Sequence, residues 1–300
     1  MASMFFCGVL AVLSSLAKAI STTILACAKE HGMSDAYLGI GDTVDPSRSA
    51  TQCAQGLLCN AVCLFFQCVA AGCFVYACAW GPVVLAMTLG TATLLLWNSA
   101  LQDMFQIGAF GRYRKEDYTA ICVITCAVCC LARVGPEDQT PAGASNATAF
   151  YLLRTPIAMA WIACVFVTGV TSLVVMNMCR SETRQTIAYA LFGAIATAVS
   201  ATIGKFLTFI TDSWFGVFVI GYVLCGVGAL ICSHLAAEKF DNTLFTASHE
   251  CLKLIITALT GRFVWLDAPR DWLLYAGLYV NICLGLYIVI YYNSRFTSKI

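Results

Sequence analysis

Trp214–Leu235 reads WFGVFVIGYVLCGVGALICSHL, 22 residues without an acid, a lysine or an arginine. As a helix at about 1.5 Å per residue it is roughly 33 Å long, enough to cross a hydrocarbon core of about 30 Å. Inside lipid each backbone polar group must find its partner within its own segment, unless strands close into a barrel. Barrel strands alternate in polarity over about 10 residues. This run is apolar throughout, so it is read as a helix.

Eight further runs share its character, giving Met4–Ala28, Gly56–Ala79, Val83–Phe105, Tyr118–Arg133, Pro156–Met178, Thr186–Thr211, Trp214–Leu235, Asn242–Trp265 and Trp272–Tyr292. Hydrophobic residues make up 60% of the chain and charged ones 11%. A soluble domain carries roughly 25% charged residues, so this chain is a polytopic membrane protein whose first partner is the lipid bilayer. The breaks carry turn chemistry: Gly81-Pro82 precedes the third run, and Pro136, Pro141 and Pro269 lie in connections. Pro82 and Pro156 stand where a first helical turn tolerates proline. The first run holds Lys18 at its middle and lacks a basic leader, so it reads as a transmembrane helix rather than a cleaved signal.

Basic residues set the expected orientation. Ten fall on one side (Lys29, Arg48, Arg112, Arg114, Lys115, Arg180, Arg184, Lys239, Arg295 and Lys299) and four on the other (Arg133, Arg154, Arg262 and Arg270). The basic side is cytoplasmic, which places the N-terminus outside or lumenal and the C-terminus in the cytoplasm. Asn146-Ala147-Thr148 is a glycosylation sequon in the connection 135–155, on the expected outer side. That connection is rich in proline, glycine and alanine and reads as a surface loop.

The net charge of +1 gives no reason to expect a nucleic-acid partner. The 18 cysteines lie mostly inside apolar runs, where thiols act as small packing groups. Cys126, Cys129 and Cys130 have helical spacing, but no histidine accompanies them, and packing is the favoured reading over a metal site. No GxSxG, HExxH or Walker motif is present, so the chain is not expected to be an enzyme and no cofactor is implied. A homo-oligomer is compatible with the sequence.

The first and sixth runs share a pattern. Gly8-Val-Leu-Ala-Val-Leu-Ser14-Ser15-Leu-Ala-Lys18 and Gly193-Ala-Ile-Ala-Thr-Ala-Val-Ser200-Ala-Thr-Ile-Gly-Lys205 each run from glycine to serine to a mid-membrane lysine. The expected fold is therefore all-α, with nine transmembrane helices in an inverted repeat of two four-helix units and a linking fifth helix. Its divisions are residues 1–134, an extracytoplasmic loop 135–155, the linking helix 156–185, and the second unit 186–300. Inverted repeats are typical of secondary transporters, with the substrate near the midplane.

A charge inside the membrane costs at least about 2.5 kcal/mol on insertion scales, which makes Lys18, Lys205, Glu250 and Lys253 candidates for function. Glu250 and Lys253 are three apart, on one helix face, and either neutralise each other or serve transport. Thr88, Thr91, Asn98 and Gln102 form a polar stripe on the third run, with Asn60, Cys63 and Gln67 on the second. Such stripes either glue helices together or line a water-filled path. His31, His234 and His249 are isolated in the sequence.

Phe74–Gly90, continuing through Arg112–Asp117 to Gly135-Pro136-Glu137, resembles the NIPA-type magnesium transporters of the drug/metabolite transporter superfamily. Gly81-Pro82 before Leu89-Gly90 matches that family's Ala-Pro before Leu-Gly. Ser200 to Lys205 and Phe240-Asp-Asn-Thr243 look like its sixth and eighth helices. The resemblance covers nearly the whole chain and implies nine helices carrying Mg²⁺ or another divalent cation by alternating access. It leaves Glu250 as the expected metal ligand, since Mg²⁺ prefers carboxylate oxygens, with Asn98 and Gln102 as polar lining. The chain departs from the family at Thr88, where a proline is expected, and near Ile107, where an acid is expected. Those departures keep two alternatives open. One is a carrier of an organic solute, with Lys18 and Lys205 facing each other across the repeat axis around an anionic group. The other is a non-transporting membrane subunit.

Overall fold

The computed structural model describes residues 2–30, 50–80, 83–105, 115–134, 146–208, 210–211, 213–240, 242–266, 268–269 and 271–297. Gly81-Pro82, Pro136, Pro141, Ile107 and the basic residues Arg48, Arg112, Arg114 and Arg270 lie outside them. The described chain is all helical: α1 Ala2–Glu30, α2 Ala50–Trp80, α3 Val83–Phe105, α4 Lys115–Val134, α5 Asn146–Leu153, α6 Pro156–Met178, α7 Glu182–Leu207, α8 Trp214–Lys239, α9 Asn242–Val264 and α10 Trp272–Thr297. Each of the nine apolar runs coincides with one of these helices; α5 is additional.

Helix ends follow local chemistry. Thr155 caps α6 by accepting from the Ala158 N–H at 3.3 Å, and Pro156 fills the first turn, where its missing donor costs nothing. Asp271 opens α10 by accepting from the Leu273 and Leu274 N–H groups at 3.0 Å each. Five helices are long and apolar enough to cross a membrane within α1, α2, α6, α7 and α8. In α4 and α10 the apolar stretches are shorter, Tyr118–Leu131 and Trp272–Ile288, while α9 carries Glu250, Lys253 and Arg262. The outer faces of α2, α6 and α8 present Leu57, Leu58, Phe65, Phe166, Val167, Val217, Ile220 and Leu224, all exposed. Soluble proteins rarely expose apolar patches on this scale, and the surface is that of a helical membrane protein.

The packing has an order. α1 packs on α2 and α3, and α7 packs on α8 and α9. α3 meets α4, and α9 meets α10. The two groups join through α4 with α10, α3 with α9, α1 with α8, and α2 with α7. The α4–α10 seam is tightest at Gly285, where an added Cβ would stand 2.5 Å from Ile124 Cγ1 and 3.2 Å from the Ala120 carbonyl. Small residues admit such close backbone approach between membrane helices.

The segment 146–155 is packed, not an open surface loop. Ala149 is buried with Ala158, Phe206, Ile210 and Val264, and Phe150 meets Trp214 edge to face at 5.3 Å. Of α5, Ala149 is buried while Tyr151 points outward, so the short helix covers the bundle with one face only. Asn146 opens α5, half-buried, and its Oδ1 accepts from the Thr211 N–H at 3.4 Å.

Candidate functional site

The centre of the structure is the carboxylate of Glu250, which is fully buried on α9. Its Oε1 accepts from Lys18 Nζ of α1 at 3.0 Å and from His249 Nδ1 at 3.1 Å. Its Oε2 accepts from Thr91 Oγ1 of α3 at 2.9 Å and from Lys253 Nζ, one turn along α9. A carboxylate offers about four lone-pair positions, and four donors occupy them. Three helices are thus tied at one point by two ammonium groups, a hydroxyl and an imidazole.

His249 donates through Nδ1, because an ionised carboxylate can only accept. Its Nε2 is buried beside Gly193 and has no hydrogen-bond partner among the described residues. An imidazolium would bury a second N–H there without an acceptor, next to two ammonium groups, so the ring is neutral. The cluster then holds two positive charges against one negative charge.

That excess faces a cavity. About 180 Å³ of space lies between α1, α2, α3, α7, α8 and α9, and both Lys18 and Lys253 line it. Lys18 is 31% exposed and Glu250 is not exposed at all, so the cavity meets the cations while the anion stands behind them. Ser14, Thr197, Ser200, Gln67 and Tyr222 supply polar wall; Phe74, Met87, Leu94 and Leu230 supply apolar wall. Three of the cavity's hydroxyl protons are committed: Ser14 donates to the Ala70 carbonyl at 2.7 Å, Thr197 to Gly193 at 2.8 Å and Ser200 to Tyr222 at 3.4 Å. Their oxygen lone pairs remain for the cavity.

The sequence-derived candidates separate in space. Lys18, Glu250 and Lys253 converge. Lys205 does not face Lys18: it is buried near the end of α7, with its ammonium over the Trp265 ring, 4.4 Å from the centroid. Lys253 pairs with Glu250 along α9, one of the two readings its spacing left open, the other being a part in transport. Asn98 is buried and accepts from Thr22 Oγ1 at 3.0 Å, tying α3 to α1 rather than lining the cavity. Gln67 does line it. The Gln102 side chain lies outside the described residues. The expectation of Glu250 as a metal ligand meets a carboxylate already saturated by donors and flanked by cations. Among the described residues, no three of His, Cys, Asp and Glu come together as a metal-binding group.

The cysteines whose side chains are described, a set without Cys53 and Cys78, are free thiols. Cys63 Sγ donates to the Ser21 carbonyl at 3.5 Å while Ser21 Oγ donates to the Cys63 carbonyl at 3.2 Å, a reciprocal link between α1 and α2. Cys232 makes a similar link to Tyr189 at 3.1 Å, between α8 and α7.

The sequence reading missed Thr91 and His249 as partners of Glu250. A signal was present for His249, since Ser248-His249-Glu250 places three polar residues in one turn of a membrane helix. For Thr91 the polar stripe of the third run was the one signal, and it did not name Glu250, 159 residues away, as the partner. No protein-family model, curated protein or solved structure matches this chain.

Proposed function

We propose that the chain is a membrane carrier of a small organic anion, bound in the cavity beside Lys18 and Lys253. The observation that carries this reading is the pair of lysines sharing one buried carboxylate on the wall of a central cavity. An uncompensated ammonium in a low-dielectric interior is costly, and a bound anion supplies the missing counter-charge.

The architecture behind the proposal is two inverted four-helix units, α1–α4 and α7–α10, linked by α6, with nine crossings of the bilayer. Its support is the recurrence of the packing. Replacing α1, α2, α3 and α4 by α7, α8, α9 and α10 carries the contacts of one group onto those of the other, and the α4–α10 and α3–α9 seams onto themselves. The cavity lies between the groups, where an alternating-access carrier holds its substrate. This keeps the architecture implied by the NIPA-type resemblance and departs from its cargo. A divalent cation about 5 Å from a lysine ammonium is repelled by about 7 kcal/mol at an effective dielectric near 20, and two such lysines line the cavity.

The test is charge movement in proteoliposomes containing the purified chain, on a solid-supported membrane, with concentration jumps of small carboxylates, phosphate monoesters and Mg²⁺. Anion-evoked currents lost in Lys18→Met and Lys253→Met are expected. Saturable Mg²⁺ current without any anion current would overturn the reading.

A further inference from the structure

We infer that the solute is a small, singly charged carboxylate with hydrogen-bond donors a few bonds from its charge. This rests on the anion-carrier reading and names its substrate class.

Charge comes first. Lys18 and Lys253 against Glu250 leave one positive charge, with His249 neutral. One added negative charge brings the buried cluster to zero. A dianion overshoots to net negative and must bring a proton or a cation with it. Lys18 need not leave Glu250 to bind: an ammonium has three donors, and Glu250 takes one.

Size comes next. A cavity near 150 Å³ in another protein holds benzene. The 180 Å³ cleft here is partly open, so it seats roughly seven to nine non-hydrogen atoms around the solute's charged end.

Polarity completes the description. Ser14, Thr197 and Ser200 have given their protons to backbone carbonyls, so they meet the solute as acceptors. Ser14 is one turn before Lys18 on α1, about 5–6 Å away between Cβ atoms. A solute whose carboxylate meets Lys18 thus meets acceptors two or three bonds further on. Hydroxyl or ammonium groups at that distance complete the match, as in a hydroxy acid or an amino acid.

The experiment is calorimetric titration of the full chain in nanodiscs, at neutral pH, with four three-carbon probes. Glycerate is a monoanion with hydroxyl donors, propionate a monoanion without them, tartronate a dianion, and glycerol neutral. Glycerate is expected to bind at least 10-fold more tightly than each of the others, with Ser14→Ala weakening glycerate but not propionate. Proton uptake accompanying tartronate would agree. Tartronate binding as tightly as glycerate without proton uptake overturns the charge count and leaves the anion carrier standing. Propionate equal to glycerate overturns the donor argument alone. No binding by any anion, with the protein monodisperse and helical by circular dichroism, overturns the substrate class; if anion-evoked currents are also absent, the carrier reading falls with it.

Discussion

Removing the charge of Glu250 should cost far more stability than removing the charge of Lys18, although the two are partners in one ion pair. Glu250→Gln keeps the shape but strands two ammonium groups around a neutral amide, with Lys253 nearly buried. At a spacing on the order of 5 Å and an effective dielectric of about 20, their mutual repulsion is about 3 kcal/mol. Breaking a buried pair by deleting one partner costs about 3–5 kcal/mol in measured cases, which agrees. Lys18→Met removes the surplus charge instead and leaves a neutral Glu250–Lys253 pair. The lost hydrogen bond to a charged group costs about 1.5–3 kcal/mol, offset by relief of the same repulsion, so the net change is within about 1 kcal/mol. At roughly 2 °C per kcal/mol for a chain this long, Glu250→Gln should lower the Tm by about 6–10 °C and Lys18→Met by about 2 °C or less. The assay is thermal unfolding of both variants and the double variant in one detergent, followed by tryptophan fluorescence. The double variant removes the lysine–lysine repulsion but still leaves Lys253 buried without a carboxylate, so it should recover only part of the loss. Equal losses in the single variants, or an unchanged Glu250→Gln, would refute the claim that one carboxylate holds two lysines in place.

Glycine contacts give a graded set: Gly8→Ala meets Leu89 at 3.6 Å and should be silent, whereas Gly193→Ala meets His249 at 3.1 Å and should weaken anion binding several-fold with little change in expression. Gly285→Ala, driven into Ile124 and the Ala120 carbonyl, should separate α4 from α10 and cost about 1–3 kcal/mol, seen as a lower Tm. Leu266 has φ of 59°; the left-handed penalty of about 1–2 kcal/mol exceeds the roughly 0.4–1 kcal/mol entropic cost of glycine, so Leu266→Gly should raise the Tm slightly. Thr91→Asp sets a second carboxylate against Glu250 in the lysine cluster; in protein shown to be helical by circular dichroism, anion affinity should drop more than 10-fold by titration.

The helices were legible because lipid removes the alternatives to backbone pairing within a segment. Val83–Phe105 and Pro156–Met178 are the same in the sequence reading and in the structure, and Trp214–Leu235 falls short of α8 by four residues. The helix α5 was not legible: eight residues are too few to span anything, and only contact with Phe206 and Trp214 shows why they fold. Within the site, Glu250 and Lys253 were readable together because three residues make one turn. Lys18 joins them from 232 residues away, a distance no local pattern encodes. Lys205 shows the converse error. Its place in the Gly-Ser-Lys pattern of α7 matches that of Lys18 in α1, yet its ammonium lies over the Trp265 ring and not on the cavity wall.

That difference between the two lysines bears on how such a site works. Thr91 and Glu250 are each the ninth residue of a 23-residue helix, α3 and α9, and they hydrogen-bond to each other. A contact between equivalent positions lies on the axis relating two units, which is further support for the repeat. At that axis the scaffold is paired but the charge is not. A second glutamate in place of Thr91 would give each lysine its own partner and cancel the attraction for an anion. The hydroxyl instead donates to the lone carboxylate and adds no charge. On the proposed carrier reading, equal packing would let the two units exchange roles at the two membrane faces, and one surplus positive charge on their common axis would let the same solute be held in both arrangements.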